Sequence, residues 1–198
     1  VVVEGVTADY GKTIESRCSE ISFGCLYTIA DDVLYKMDMN KGTKKELATG
    51  LNEDQYVASE DGHLVAYEKE DPSKSKSVTV MNLETDQEYE VTCKDGECIK
   101  PLGFMDGDFV YGVAKTEEVG TTLSGAQVIP MYKVEITSSK DKVIKTYEQS
   151  GIYMLSATFE DNMITLDRAV KDGDTYTGTA QDYITSSEEA KESNIYVQ

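Results

Sequence analysis

Lys36-Met37-Asp38-Met39-Asn40-Lys41-Gly42-Thr43-Lys44-Lys45-Glu46-Leu47 lies without a gap over Val80-Met81-Asn82-Leu83-Glu84-Thr85-Asp86-Gln87-Glu88-Tyr89-Glu90-Val91, at an offset of 44 positions counted from Lys36 to Val80. A third copy, Lys133-Val134-Glu135-Ile136-Thr137 continuing to Val143-Ile144, begins 53 positions after Val80. Each copy reads as an alternating strand, a polar turn and a second alternating strand. Self-similarity at this period marks a repeat architecture in which neighbouring units cover one another's apolar faces.

Asp-Gly pairs supply a second, independent marker. They stand at Asp61-Gly62, Asp95-Gly96, Asp106-Gly107 and Asp172-Gly173, with Asp161-Asn162 as a near equivalent. Tight hairpin turns need positive φ at their central residues, which Asp, Asn and Gly tolerate best. His63-Leu64-Val65-Ala66-Tyr67, Asp108-Phe109-Val110-Tyr111-Gly112 and Met163-Ile164-Thr165-Leu166-Asp167 each follow one of these turns. Those turns are spaced 45 positions from Asp61 to Asp106 and 55 from Asp106 to Asp161, the drift of the first series.

A module of four strands emerges: 55–59, 63–69, 77–83 and 88–93. It recurs as 99–105, 108–116, 131–136 and 142–148. A third copy starts with 152–160 and 163–170, and 25–30, 33–39 and 44–48 are the later strands of an earlier one. Four antiparallel strands in about 45 residues is the size of one propeller blade. The fold class expected is all-β, a β-propeller or propeller segment of about four antiparallel four-stranded blades in one repeat domain, with modules near 7–50, 51–95, 96–150 and 151–198. An antiparallel β-sandwich is the alternative. Pairing of Val1–Val6 beside Ile195-Tyr196-Val197 would close a ring; otherwise the chain is a piece of a larger one. Ser186 or Ser187 is placed to cap a short helix over Glu188-Glu189-Ala190-Lys191, against an irregular acidic loop.

Ser59-Glu60-Asp61-Gly62-His63-Leu64-Val65-Ala66-Tyr67, followed by Val78-Thr79-Val80-Met81-Asn82-Leu83-Glu84-Thr85, resembles the TolB-type propeller repeat. That repeat reads Ser-Pro-Asp-Gly, an apolar strand, then an Ile-Tyr-Val-Met-Asp-Leu-like strand, and Glu60 stands where the family usually has Pro. Asn194-Ile195-Tyr196-Val197 is similar to the start of another later strand. The resemblance extends over about residues 30 to 198 and implies a bacterial secreted or envelope protein. Such propellers occur in envelope binding proteins, in lipoproteins and beside peptidase domains.

Composition limits the partners. Hydrophobic residues at 39% with 28% charged residues belong to a folded, soluble chain and not to a disordered one. A formal net charge of −18 argues against nucleic acid, because phosphate binding draws its affinity from Lys and Arg. An anionic membrane surface is disfavoured for the same reason. No apolar run approaches the roughly 18 residues of a membrane helix, so this segment is not expected to insert into a bilayer. Val1-Val2-Val3-Glu4 lacks the basic start and apolar stretch of a signal peptide.

Candidate chemistry is sparse. In Cys93-Lys94-Asp95-Gly96-Glu97-Cys98 a two-residue Asp-Gly hairpin would set Cys93 opposite Cys98 at a close non-hydrogen-bonded position, where a disulfide is feasible. Cys18 and Cys25 could bracket another hairpin through Phe23-Gly24. Two local disulfides would imply an oxidising, extracytoplasmic compartment. Zinc is the alternative, but Cys-x-x-Cys spacing is missing and the sole histidine, His63, sits elsewhere, on an exposed or rim position after its turn. No nucleophile elbow, phosphate loop or dinucleotide fingerprint is present, and no catalytic, cofactor or metal residue is assigned. Asp106-Gly107-Asp108 and Asp172-Gly173-Asp174 fall short of a calcium loop and read as solvated turns.

The connection Glu117-Glu118-Val119-Gly120-Thr121-Thr122-Leu123-Ser124-Gly125-Ala126-Gln127 is much longer than its counterpart at 71–76. Insertions at one connection of a repeat build binding faces, unless they are merely tolerated. Glu117, Val119, Thr121, Leu123 and Gln127 are the candidate contact residues. The function expected is a non-catalytic scaffold at the cell surface or outside the cell, binding a protein or an envelope ligand. The alternatives are a hydrolytic propeller using acidic residues, or the accessory propeller of a peptidase whose catalytic domain lies outside this chain.

Overall fold

The computed structural model describes residues 13–14, 25–121, 127–138, 142–160 and 162–186. Its strands pair antiparallel throughout, in consecutive meanders. The first sheet runs in the order β1 (Thr13–Ile14), β2 (Cys25–Ala30), β3 (Val33–Asp38) and β4 (Thr43–Thr49). The second runs β5 (Tyr56–Ala58), β6 (Leu64–Tyr67), β7 (Ser77–Asn82) and β8 (Glu88–Thr92). A third meander of β9 (Glu97–Met105) and β10 (Asp108–Lys115) carries a small excursion, β11 (Gly120–Thr121) and β12 (Gln127–Val128). It resumes with β13 (Met131–Ser138) and β14 (Lys142–Glu148). The fourth comprises β15 (Ile152–Glu160) and β16 (Met163–Asp172), whose outer edge is shared by β17 (Thr175–Gly178) and β18 (Asp182–Thr185).

Turn chemistry explains the tight corners. Asp106 and Gly107 both take positive φ, 53° and 81°, and join β9 to β10 with Met105 opposite Asp108. Asp31 and Asp32 do the same at 51° and 60° between β2 and β3. A short polar side chain makes this left-handed conformation bearable without glycine.

The apolar residues separate into three seams. Tyr27, Ile29, Leu34 and Ala48 of the first meander meet Val65, Tyr67, Met81 and Leu83 of the second. On the second meander's other side, Ala66, Val78, Val80 and Val91 meet Ile99, Phe109, Tyr111 and Val113 of the third. The third then turns Cys98, Val110, Ala114, Met131, Val134 and Ile136 toward Met154, Ile164, Leu166 and Ile184 of the fourth. Strand alternation does this sorting: Val65 and Tyr67 face one way along β6 while Ala66 faces the other. A sandwich would hold a single slab of core between two sheets. Here each middle meander is covered on both faces by its neighbours in sequence, and the chain is an all-β propeller segment. Each meander is called a blade below.

Two features differ from expectation. Blades three and four are one eight-stranded sheet, because Met131 of β13 pairs with Met154 of β15. The Asp95-Gly96 turn is not a hairpin within a sheet. The strands β8 and β9 lie at the edges of different sheets, and the turn is closed by the Glu97 amide donating to the Lys94 carbonyl at 3.1 Å and the Lys94 amide donating to Glu97 Oε2 at 3.0 Å. The strands β17 and β18 had no counterpart in the sequence reading. The ring-closing termini and the capped helix after Ser186 lie outside the described residues, as does Cys18.

Candidate binding face

The long connection of blade three leaves β10 at Lys115 and forms a single 3-10 turn over Thr116–Glu118. It then makes the β11–β12 pair, with Gly120 opposite Val128 and Thr121 opposite Gln127, before Ile129 re-enters the core. Three other parts of the molecule hold it. Thr116 donates its amide to the Gly96 carbonyl at 3.0 Å, tying its start to the turn between blades two and three. Glu118 accepts from the Tyr153 hydroxyl and from Lys171 Nζ, both at 3.3 Å, on blade four. Gln127 Nε2 donates to Asp71 Oδ1 at 3.3 Å, on the 71–76 loop of blade two.

Of the five candidate contact residues, Glu117 and Gln127 are exposed, and Val119 is partly buried against the seam between blades three and four. The side chain of Thr121 and all of Leu123 lie outside the described residues. Glu118, inside the same loop, was passed over as a contact residue, and it is the anchor: only 12% of its side chain is exposed. Its Oε2 and the Tyr176 hydroxyl are buried without a hydrogen-bond partner. Tyr153 and Tyr176 meet edge to face with ring centres 5.1 Å apart. Burial, then the nearby Glu118 charge, pushes both phenols up, so both stay neutral and Tyr153 donates to Glu118.

Cys25, Cys93 and Cys98 are free thiols. The facing arrangement expected of Cys93 and Cys98 fails because β8 and β9 do not share a ladder: Cys93 donates its amide to Lys76, and Ile99 donates to Ser75. Burial pushes the Cys98 thiol up to about 11, with Cys93 and Glu68 nearby adding to the effect, and burial raises Cys93 as well. Both therefore stay protonated and weakly nucleophilic. His63 is partly buried, its Nδ1 3.1 Å from a Glu84 carboxylate oxygen. Among the described residues no group of three or more His, Cys, Asp or Glu converges as metal ligands would.

Beneath the face lies Glu68, 1% exposed, immediately after β6. The signal for it was in the alternation, which puts residue 68 in the inward row of Ala66.

No family model matches the chain, and no curated protein matches it. Among solved structures it is similar to BamB from Moraxella catarrhalis, at 14% identity over 72% of this chain and 37% of that one, with a TM-score of 0.45. The RRP9 WD40 repeats match at 13% identity over 73% of this chain and 42% of that one, TM-score 0.43. An oligogalacturonate lyase from Vibrio parahaemolyticus matches at 10% identity over 75% and 44%, TM-score 0.42. The chain spans less than half the length of each.

Proposed function

We propose that this chain is a non-catalytic TolB-type propeller scaffold of a secreted or cell-surface bacterial protein, and that it binds a protein or envelope ligand on the loop face built around the 116–128 insertion. The observation that supports it most is the threefold anchoring of that insertion. A tolerated, idle loop has no reason to be tied to blade two through Asp71, to the interblade turn through Gly96 and to blade four through Tyr153 and Lys171. A loop held this way presents Glu117 and Gln127 on a framework fixed in advance, which lowers the ordering cost of binding. The net charge of −18 favours a ligand surface carrying Lys and Arg and speeds its encounter. Secretion would also make pairing of Cys93 with Cys98, and of Cys18 with Cys25, chemically accessible; counting thiols by alkylation with and without reductant tests that compartment.

A photoreactive amino acid replacing Glu117 tests the binding reading, with solubilised bacterial envelope fractions as the probe. Discrete adducts are expected from position 117, none from a control at Lys44 on blade one, and loss of the adducts when 117–127 is cut to a two-residue turn. Adducts that ignore position overturn the reading. Turnover of chromogenic glycosides or peptides by the purified chain would favour the hydrolytic alternative instead.

A further inference from the structure

Among the described residues Glu68 is the only ionisable acid or base that is buried apart from the tyrosines and Cys98, and neither of its carboxylate oxygens has a hydrogen-bond partner. Its backbone is fixed: the Glu68 amide donates to the Gln55 carbonyl at 2.9 Å, and Gln55 Nε2 donates to the Glu70 carbonyl at 2.8 Å. Over the side chain close the 71–76 loop and the first residues of β9. Ser75 is buried and its hydroxyl is committed to the Ser77 carbonyl at 2.9 Å. The Ser75 carbonyl accepts from Ile99, and its amide donates to Asp71, each at 2.9 Å. The charged and titratable groups that bear on Glu68 are Lys100 and Cys98 of β9 and Asp71 of the loop; β5 and its approach supply the uncharged Gln55.

An ionised carboxylate cannot remain in such a place without a partner. It holds its proton, or the structure opens and admits water. Asp71 is also the residue that receives Gln127 from the insertion. We propose that Glu68 is a proton-operated latch under the loop face: protonated, it lets the 71–76 loop close, and ionised, it releases that loop together with the Gln127 anchor. Only the consequence for ligands rests on the binding reading above; the latch is a property of the chain alone.

Burial pushes the Glu68 carboxyl up to about 8, with Asp71 adding to it and the neighbouring Ser75 hydroxyl and Lys100 opposing. The folded value is thus above the ordinary value of 4.5. Its contribution to stability is complete below the unfolded value, declines through neutral pH, and is lost as pH rises past the folded value. Cys98, held up near 11, does not titrate in that window.

Amide hydrogen exchange on the purified chain between pH 6 and 9, corrected for the intrinsic pH dependence of exchange, is the test. Peptides covering 71–77 and 97–101 are expected to lose protection by roughly tenfold per pH unit from pH 6 up to the midpoint near 8 and to level off above it, while 25–49 does not change. Glu68→Gln should abolish that dependence. Equal pH dependence in both proteins overturns the latch. If Glu68→Gln fails to fold, carbon-13 titration of the Glu68 carboxyl in the wild-type chain decides: a midpoint above 7 supports the proposal and one near the ordinary value refutes it. A chain with the pH response whose position 117 captures nothing refutes the binding reading alone, and capture without the pH response refutes the latch alone.

Discussion

Among the described residues no strand pairs across blades one and two, and side chains make the junction: Tyr27 reaches over to donate to the Leu83 carbonyl, and Lys36 to pair with Asp86. Between blades three and four the backbone itself continues, Met131 opposite Met154, inside one eight-stranded sheet. Around that pairing the chains come closer than side chains normally allow. Gly112 of β10 lies under the Met131 thioether, and Gly103 of β9 lies under the Phe159 ring. Arg168 completes the outer edge, donating to the Ala180 carbonyl at 2.7 Å and to the Tyr147 hydroxyl and Asp182 at 3.1 Å. Both junctions bury apolar surface, and beside the second stand two glycines at which a Cβ would collide with a side chain. At the first, Tyr27 and Lys36 add polar contacts to the apolar seam of Ile29, Leu34, Val65 and Leu83, with no backbone pairing to support them.

The largest effect expected follows from the close approach. A Cβ on Gly112 would stand 1.9 Å from Met131 Sδ and 2.6 Å from its Cγ. Met131 is fully buried, with no solvent into which to retreat. Gly112→Val should therefore cost about 3 kcal/mol or more in urea unfolding, at the upper end of overpacking penalties. Gly103→Ala should cost less, because the Phe159 ring it meets is only partly buried and has somewhere to move. If Gly112→Val unfolds at the wild-type midpoint, the contrast between the two junctions is wrong.

Tyr27→Phe probes the other junction. It leaves the ring in its fully buried site and removes the hydroxyl that the Leu83 carbonyl accepts at 2.5 Å. An orphaned buried acceptor costs roughly 1–2 kcal/mol. Tyr147→Phe makes the same chemical change at the blade three–four edge, where Asp182 keeps its bond from Arg168 at 3.1 Å. Its cost should stay below about 1 kcal/mol, because no buried group is stranded. Reversal of that order would mean that the second junction, and not the first, leans on its hydroxyl.

The fold was legible because the alternation of apolar residues carries its own bookkeeping. Val65-Ala66-Tyr67 already assigns neighbours to opposite faces, and three such runs in phase require blades that cover each other. The two-residue turn at Asp31-Asp32 carries no glycine, because aspartate there accepts the left-handed backbone unaided, and it was the alternating runs 25–30 and 33–39 that bracketed it. The end of β8 did mislead. An Asp-Gly pair reports a reversal of the chain, and says nothing of whether the strands it joins belong to one sheet. For the loop face, length alone announced the 116–128 insertion. Its anchors on Asp71, Tyr153 and Lys171 lie in other blades, and a pairing across blades leaves no local trace in sequence. Glu68 stood in an inward row all along, where its charge made it easy to take for part of a solvated strand end.

The smallest effect distinguishes charge from packing at the first junction. Partial burial works against the Asp86 carboxylate, but hydrogen bonds from Lys36 and Tyr27 overcome it and hold the group below its ordinary 3.8. Lys36 is raised: burial opposes its charge, and the bonds to Asp86 and Tyr27 more than compensate. A depressed acid stabilises above its unfolded value and loses that contribution as pH falls through the folded one. A raised base keeps its contribution until pH climbs past its ordinary 10.5. The pair therefore works between about pH 4 and pH 10 and fails outside. Because Asp86 is 57% exposed, screening limits the gain to about 0.5 kcal/mol. Asp86→Asn is the suitable change, since Asn also tolerates the φ of 56° at this turn. It should lower stability slightly at pH 7, less in 1 M salt, and not at all at pH 2. An equal loss at pH 2 would show that the residue acts through the shape of its turn and not through its charge.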